Sequence, residues 1–437
     1  MTLLIGFLIT IIALLMIRGK ELNLKNWTFI IIILHYALLY YMVITWSFEG
    51  YSHPDSMVFI KDFDRADVNL MYLLACVVMM IGFYVSYYVL PLPKHGIINY
   101  KRSVFLQDNN RFWKQLTSFS IITLILSFVA YYVYSLAYGG FGGLLAYTMI
   151  IRRGAMDVAN SWSFLQVFGT YSYISAFCLF SIMLNKKILS RTRRRATIGW
   201  VFAFAFSGYV AISQGGRGMI LNLLLIYILT LVFAKTNSFV TIVVRYWPFL
   251  LLAVVGFVLS SILWRGEIEG IKPFVTNGYA YLFSSFSASL KNDNYLFFVE
   301  VLLWPLYFLP QSLYMGKGFV TTNMHNTSLM QGGYKGEMIN GMTISGENTT
   351  GFLSFSYYQF GLIGVFFLSI IIGMCIRKWN CRINIMPHTP FRNMLYAYYV
   401  IQVVYYFIGS GTMYNFIIGN FAYFTFFLVF PLYRKIF

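Results

Sequence analysis

Residues 352–376 read FLSFSYYQFGLIGVFFLSIIIGMCI, a stretch without a single charged side chain, and residues 219–234 read MILNLLLIYILTLVFA in the same way. A bilayer core of about 30 Å takes roughly 20 apolar residues per helix, so runs of this kind read as membrane spans. The rest of the chain agrees. Of its 437 residues 59% are hydrophobic, 20% aromatic and only 11% charged. A soluble domain carries about 25% charged residues, so this chain lacks the polar surface to cover a globule of its size. Soluble enzyme, nucleic-acid binder and disordered chain are excluded, and a polytopic helical membrane protein remains.

Hydropathy places eleven spans at about 2–17, 27–47, 69–92, 115–136, 161–184, 198–213, 219–234, 247–263, 352–376, 393–410 and 415–433. Alternate connections then fall on opposite sides. The side holding 18–26, 93–114, 185–197, 235–246, 377–392 and the C-terminus carries 22 of the 32 Lys and Arg residues, against only Glu21 and Asp108 of the 14 acidic ones. Lys and Arg excess marks the cytoplasm, so the N-terminus is expected outside and the C-terminus inside. The net charge of +18 thereby reads as membrane orientation and contact with anionic lipid, with no nucleic-acid partner. Met1–Ile17 has no basic residue before its apolar stretch, and Arg18, Lys20 and Lys25 follow it, the pattern of a retained span and not of a cleaved signal. Cys76, Cys178 and Cys375 lie in apolar runs and Cys381 in a short basic loop, which implies no disulfide framework.

One external segment is long, about 264–350. It divides the chain into a bundle of eight spans (1–263), the loop itself (264–350) and three C-terminal spans (351–437). The apolar part, Tyr295–Pro310, contains Glu300 and is interrupted by Pro305. Counting it as a span would put Arg377, Lys378, Arg382 and Arg392 outside, so it is expected to be a re-entrant or interfacial helix. Met315–Thr350 is polar and glycine-rich, and loops of such length are usually functional or disordered; a functional loop is the expectation.

Soluble-enzyme signatures of the GxxxxGK[ST], CxxC, HExxH and GxSxG kinds are absent, and the sequons at Asn326 and Asn348 are common chance matches. Charged residues at the external surface remain. In Gln214-Gly215-Gly216-Arg217-Gly218, three glycines permit a tight turn, a helix N-terminus follows, and Arg217 supplies a planar fork suited to phosphate oxygens. The stretch reads either as a diphosphate seat or as a glycine hinge with a snorkelling arginine. A second stretch, Tyr138-Gly139-Gly140-Phe141-Gly142-Gly143, leads through Tyr147 to Arg152-Arg153, which either bind substrate or pair with Asp157 or headgroups. The long loop offers Arg265, Lys272, Glu300, His325, Lys335 and Glu347 among its charged residues. His325, its only histidine, is a base near neutral pH or a solvated side chain.

The order of these pieces resembles the bacterial oligosaccharide repeat unit polymerases, which include the O-antigen polymerases and the enterobacterial common antigen polymerase. The pieces are the glycine–arginine turn at 214–218, the Gly-Gly…Tyr…Arg stretch at 139–152, and the late long loop. That loop ends in Pro310, Gly341-Met342-Thr343-Ile344-Ser345 and Phe360-Gly361-Leu362-Ile363-Gly364. Two positions depart from the pattern: Phe355 stands where many members have a Glu before the Phe-Gly, and Ser410-Gly411 where many have an Arg.

The resemblance implies an all-α, glycosyltransferase C-like bundle in the bacterial inner membrane with a periplasmic loop and active face. It implies transfer of a growing glycan from undecaprenyl diphosphate to a lipid-linked repeat unit, in lipopolysaccharide or another polysaccharide, alongside membrane lipids and a chain-length regulator. Cations at headgroup depth would stabilise the departing diphosphate, with Arg217 first, Arg265 second and Arg152 and Arg153 third. Gly215, Gly216, Gly218, Lys272 and Lys335 would contact substrate, and His325, Glu347 or Glu300 would deprotonate the acceptor hydroxyl. No Asp-x-Asp motif is present, so neither metal nor cofactor is expected. The alternatives are an O-antigen ligase, which differs in acceptor, and a flippase or transporter, which would carry charges inside its spans.

The charge asymmetry makes a topological prediction. Cysteines introduced at Lys335 and Lys187 should differ in intact cells, with a membrane-impermeant thiol reagent reaching only position 335. Labelling at 187 would reverse the orientation.

Overall fold

In the computed structural model, residues 65–91, 108–152, 160–214, 217–233, 282–292, 294–303, 305–306, 320–334, 337–339, 342–344, 347–405, 412, 416–417 and 419–436 are described. They are about 82% helical. In chain order the helices are α1 (Ala66–Tyr84, its last turn widening into π geometry over Val85–Val89), α2 (Asn110–Leu136) and α3 (Gly140–Arg152). A 3₁₀ segment, Ser163–Thr170, leads into α4 (Tyr171–Leu184), followed by α5 (Ser190–Ser213), α6 (Arg217–Phe233) and α7 (282–290). Then come a single turn, Val299–Leu302, α8 (Thr322–Gln331), a two-stranded antiparallel hairpin of Met338–Ile339 with Met342–Thr343, α9 (Phe352–Asn384), α10 (Pro390–Tyr405) and α11 (Phe421–Ile436).

Five segments are long and apolar enough to cross a membrane: Ala66–Val89, Asn110–Leu136, Ser163–Leu184, Ser190–Ser213 and Phe352–Asn384; α6 is a shorter apolar helix. The protein is thus a helical membrane protein. The expected spans 2–17, 27–47 and 247–263 lie outside the described residues.

One reading of the connections needs correction. The basic segment 185–197 is not all loop, because α5 begins at Ser190, and α9 runs on through Arg377, Lys378 and Arg382 to Asn384. Basic residues leave the bilayer but are good helix formers, so the helix outlasts the membrane. The segment 295–310, expected as a re-entrant or interfacial helix, holds only the turn Val299–Leu302 behind two left-handed residues, Phe297 (φ 47°) and Phe298 (φ 62°), and a 3₁₀ pair at 305–306 among its described residues.

The chain forms two compact units. The first comprises Met1–Lys94, Glu269–Cys381 and Gln402–Ile417, and the second comprises His95–Ile268, Arg382–Ile401 and Ile418–Phe437. In the first unit α1 and α9 run parallel at very close range. A Cβ on Gly82 would meet Ser369 Cβ at 2.7 Å, and one on Gly373 would meet Ser86 Cβ at 2.8 Å. Small residues four apart on both helices therefore let the backbones touch, the packing that replaces hydrophobic drive inside a bilayer. One turn on, Arg377 Nη1 donates to the carbonyls of Ser86 (3.0 Å) and Leu90 (2.6 Å), satisfying oxygens at the open end of α1.

α9 is broken at Phe360 (φ −167°, ψ 45°) and Gly361 (φ 59°, ψ −145°). The break frees the carbonyls of Tyr358 and Gln359, and the backbone N–H groups of Leu296 and Phe297 donate to them, each at 2.9 Å. Tyr295 and Phe297 pack their rings on Phe360.

In the second unit α2 is the central helix. Its outer face carries Ile122, Ile125, Leu126, Val129 and Leu136, all exposed, at the i, i+3, i+4 spacing of one helix face. Its inner face buries Thr117, Ser120, Ser127 and Ser135. Apolar outside and small-polar inside is the arrangement lipid demands. Rings of Phe112, Phe119, Phe391, Phe426 and Phe430 bind α2 to α10 and α11.

Gly361→Ala should strain the break, since its backbone sits where side-chain-bearing residues rarely go and the new Cβ would lie 3.1 Å from the Tyr295 hydroxyl. A loss of roughly 1–3 kcal/mol is expected in thermal unfolding of the detergent-purified protein. Gly208→Ala, in α5 with open space around it, should be neutral or stabilising. Equal melting temperatures for the two variants would remove the argument.

Candidate functional site

The two arginine stretches of the sequence converge in the second unit. α2 gives way to α3 through Gly139 (φ 86°) and Gly140 (φ 84°), a left-handed pair that only glycine adopts without strain. At Gly143 a Cβ would collide with the Tyr138 carbonyl at 1.8 Å. These glycines fold α3 back onto α5. The Tyr209 hydroxyl donates to the Phe141 carbonyl at 2.7 Å, and the Thr148 hydroxyl shares its one proton between the Leu144 carbonyl of its own helix (2.6 Å) and the Ser213 carbonyl (3.0 Å). Tyr131 and Ser213 share a hydroxyl–hydroxyl bond of 2.7 Å, above a cluster of Tyr131, Tyr134, Tyr138, Leu144 and Val210.

Ser213 is the last residue of α5, so its carbonyl has no partner within the helix, and Thr148 supplies one. Arg152 closes α3 one turn after Thr148, and α6 opens at Arg217 with Gly218 in its first turn. The backbone thus brings Arg152 and the N-terminus of a 17-residue helix to the same end of α5. Gly215, Gly216, Arg153, Arg265, Lys272 and Lys335 lie outside the described residues.

The loop candidates fall in the first unit, and there the sequence missed a structured element. Met315–Thr350 is not irregular throughout: it contains α8 and the hairpin. Thr321 caps α8 by accepting from Met324 N–H, and Gly332 ends it in the left-handed conformation (φ 81°). Those end signals are legible in the letters T-N-M-H-N-T…G-G. Their packing is not, because α8 is held by polar contacts. Asn326 Nδ2 donates to Ser285 Oγ (2.9 Å) and the Asn348 carbonyl (3.0 Å), while its Oδ1 accepts from the Tyr358 hydroxyl (2.9 Å). Asn323 Oδ1 accepts from Thr350 N–H at 3.1 Å, and Thr327 Oγ1 accepts from Asn348 N–H at 2.6 Å. Both sequon asparagines are therefore buried structural residues.

Glu300 is 2% exposed, and its Oε2 accepts from both the N–H (2.8 Å) and the hydroxyl (2.5 Å) of Thr322. A carboxylate at the first residue of a helix satisfies an orphan donor and complements the helix dipole. The geometry gives Glu300 a holding role. Glu347 is exposed.

His325 is half-buried, with Nε2 2.9 Å from Asn292 Oδ1 and its ring edge-on to Tyr358 at 5.6 Å. Against a carbonyl oxygen, Nε2 carries the proton, which leaves Nδ1 as the basic atom. Burial holds the imidazole below its usual value of 6.5, so the ring is neutral at pH 7. The first unit thus holds a neutral imidazole, and the second, taken by itself, an arginine-bearing helix end.

Compared with protein-family models, with curated proteins and with solved structures, the chain matches none.

His325 makes stability depend on pH with a definite sign. Its folded pKa is lowered, so the unfolded chain binds the extra proton first as pH falls. The contribution is complete above about 6.5 and is lost as pH drops through the lower folded value. Melting temperatures of wild type and His325→Gln should run parallel above that pH, and the wild type should fall relative to the variant below it. Parallel curves throughout would show that the imidazole is solvated.

Proposed function

We propose that this protein is a glycosyltransferase of the oligosaccharide repeat unit polymerase kind, in the bacterial inner membrane, working on undecaprenyl-diphosphate-linked glycans at the periplasmic face. The acceptor hydroxyl oxygen forms a bond to the anomeric carbon of the donor glycan, the bond from that carbon to the diphosphate breaks, and the hydroxyl proton passes to a base. Undecaprenyl diphosphate leaves with the bonding electrons. Its charge grows as the bond breaks, so fixed cations and helix N–H groups near it lower the barrier.

The observation that carries this reading is the Thr148–Ser213 bond, which draws the end of α3, with Arg152, toward the start of α6, with Arg217. A lone glycine hinge would not need a second arginine helix tied beside it. For the base, the neutral half-buried ring of His325 is better suited than Glu300, which is occupied with Thr322, or the exposed Glu347. The parallel run of α1 and α9 supports a loop whose two ends lie on the same side of the membrane. Parallel helices have an odd number of crossings between them, as in the reading where 295–310 does not cross.

The test is the surface glycan of a strain lacking the protein. Loss of a polymerase leaves one repeat unit per acceptor, because flipping and ligation continue. Loss of a ligase leaves acceptors with no repeat, and loss of a flippase traps single units on the cytoplasmic side. One repeat per acceptor is expected, with rescue by the wild type. Arg217→Lys should rescue poorly, because an ammonium lacks the planar bidentate fork. Normal ladders or bare acceptors would overturn the assignment.

A further inference from the structure

The second unit contains a cavity of about 350 Å³ between α2, the 3₁₀ segment before α4, α4 and α11. Three hydroxyl side chains reach its wall, and each is turned to a protein partner. Thr123 pairs with Ser175 at 2.8 Å, Ser127 donates to the Phe168 carbonyl at 2.8 Å, and Tyr171 pairs with Thr425 at 2.6 Å. A lining whose polar atoms are already satisfied offers water little, so the space suits hydrocarbon. Its rim includes Leu126 (61% exposed), Phe168 (37%) and Val429 (46%), side chains on the surface that faces lipid.

The two helices that frame the cavity also bring four cations to one end of it. Arg111 and Lys114 lie in the first turns of α2, and Arg434 and Lys435 in the last turn of α11. From Phe119 at the cavity to Arg111 is eight residues, about 12 Å of helix. A ladder of rings covers that distance, with Phe119 against Tyr433 (5.4 Å) and Phe430 (5.3 Å), Phe430 against Phe112 (5.8 Å), and the Arg434 guanidinium 5.5 Å over Phe112. Arg434 Nε donates to Gln115 Oε1 at 2.6 Å, which fixes the group. Partial burial, and then the like charge of Arg111 nearby, lower the Arg434 pKa. The acidic residue of this stretch, Asp108, accepts from Trp113 Nε1 at 2.8 Å. Arg111, Lys114 and Lys435 are exposed.

We infer that this end of α2 and α11 is a binding site for one anionic phospholipid, its phosphate against Arg111, Lys114, Arg434 and Lys435 and one acyl chain in the cavity above. The cationic end is the cytoplasmic end in the charge-derived orientation, where anionic lipids meet basic pockets between helices. The inference concerns this face alone and does not depend on the glycosyltransferase reading.

Native mass spectrometry of the full-length protein, purified in neutral detergent and given equal phosphatidylglycerol and phosphatidylcholine, tests it. Wild type should retain phosphatidylglycerol preferentially. The triple variant Arg111→Gln, Lys114→Gln, Lys435→Gln alters exposed side chains only and should lose on the order of tenfold in that preference. Leu126→Trp, at the exposed rim, should lower retention of both lipids while helicity by circular dichroism stays unchanged. Equal retention of the two lipids by wild type, an undiminished preference in the triple variant, or displacement of bound lipid by inorganic phosphate would overturn the site.

Discussion

Two backbone hydrogen bonds, from Leu296 and Phe297 to the carbonyls of Tyr358 and Gln359, answer the constraint that a membrane helix cannot break without new partners for the groups it frees. With them in place, α9 turns at Phe360-Gly361 and the turn Val299–Leu302 is fixed beside it. Glu300 in that turn then holds the start of α8, and α8 joins Ser285 of α7, Asn348 and Tyr358 through Asn326. The first unit is thus ordered from a broken helix outward. A buried polar chain of this kind destabilises when any link is removed, so the order of the loop around α8 rests on these hydrogen bonds.

The packing of the spans follows from the same solvent. Lipid rewards no burial of leucine, so large apolar residues such as Phe202 and Leu126 face outward while serine, threonine and glycine meet between helices. Gly82 and Ser86 against Ser369 and Gly373 are the clearest case, and the Gly169 backbone against the Tyr131 ring is another. Glycine has a different task at Gly139, Gly140 and Gly361, where the backbone is left-handed. The letters alone do not separate these uses.

What could be read from the sequence divides along the same line. The described spans lie where uninterrupted apolar runs put them, because one-dimensional length and composition suffice for a helix in lipid. Their ends were misplaced by the basic residues of 185–197 and 377–384, which leave the bilayer without leaving the helix. α8 is not legible in the sequence because its stability comes from asparagine and threonine side chains meeting residues 21 to 41 positions away, a pattern with no period. Glu300 shows the limit most plainly. Its charge marked it as a base, yet its fold partner Thr322 could not be seen from its neighbours in the chain.

The positive-inside count treats every Lys and Arg alike, and the structure divides them by task. Arg377 is consumed by the end of α1, and Arg392 by His388 and Asn384. Lys186, Lys187, Arg191, Arg194 and Arg195 stand exposed on the connection before α5 and at its start. The first group would be needed whatever way the protein faced, because helix ends and buried side chains must find partners. Orientation information therefore resides in the second group, whose charges make no comparable internal bond and respond only to the membrane surface. Neutralising the exposed cations would weaken the orientation signal while the bundle kept its packing, whereas replacing Arg377 would open the end of α1 without altering the charge the loops present.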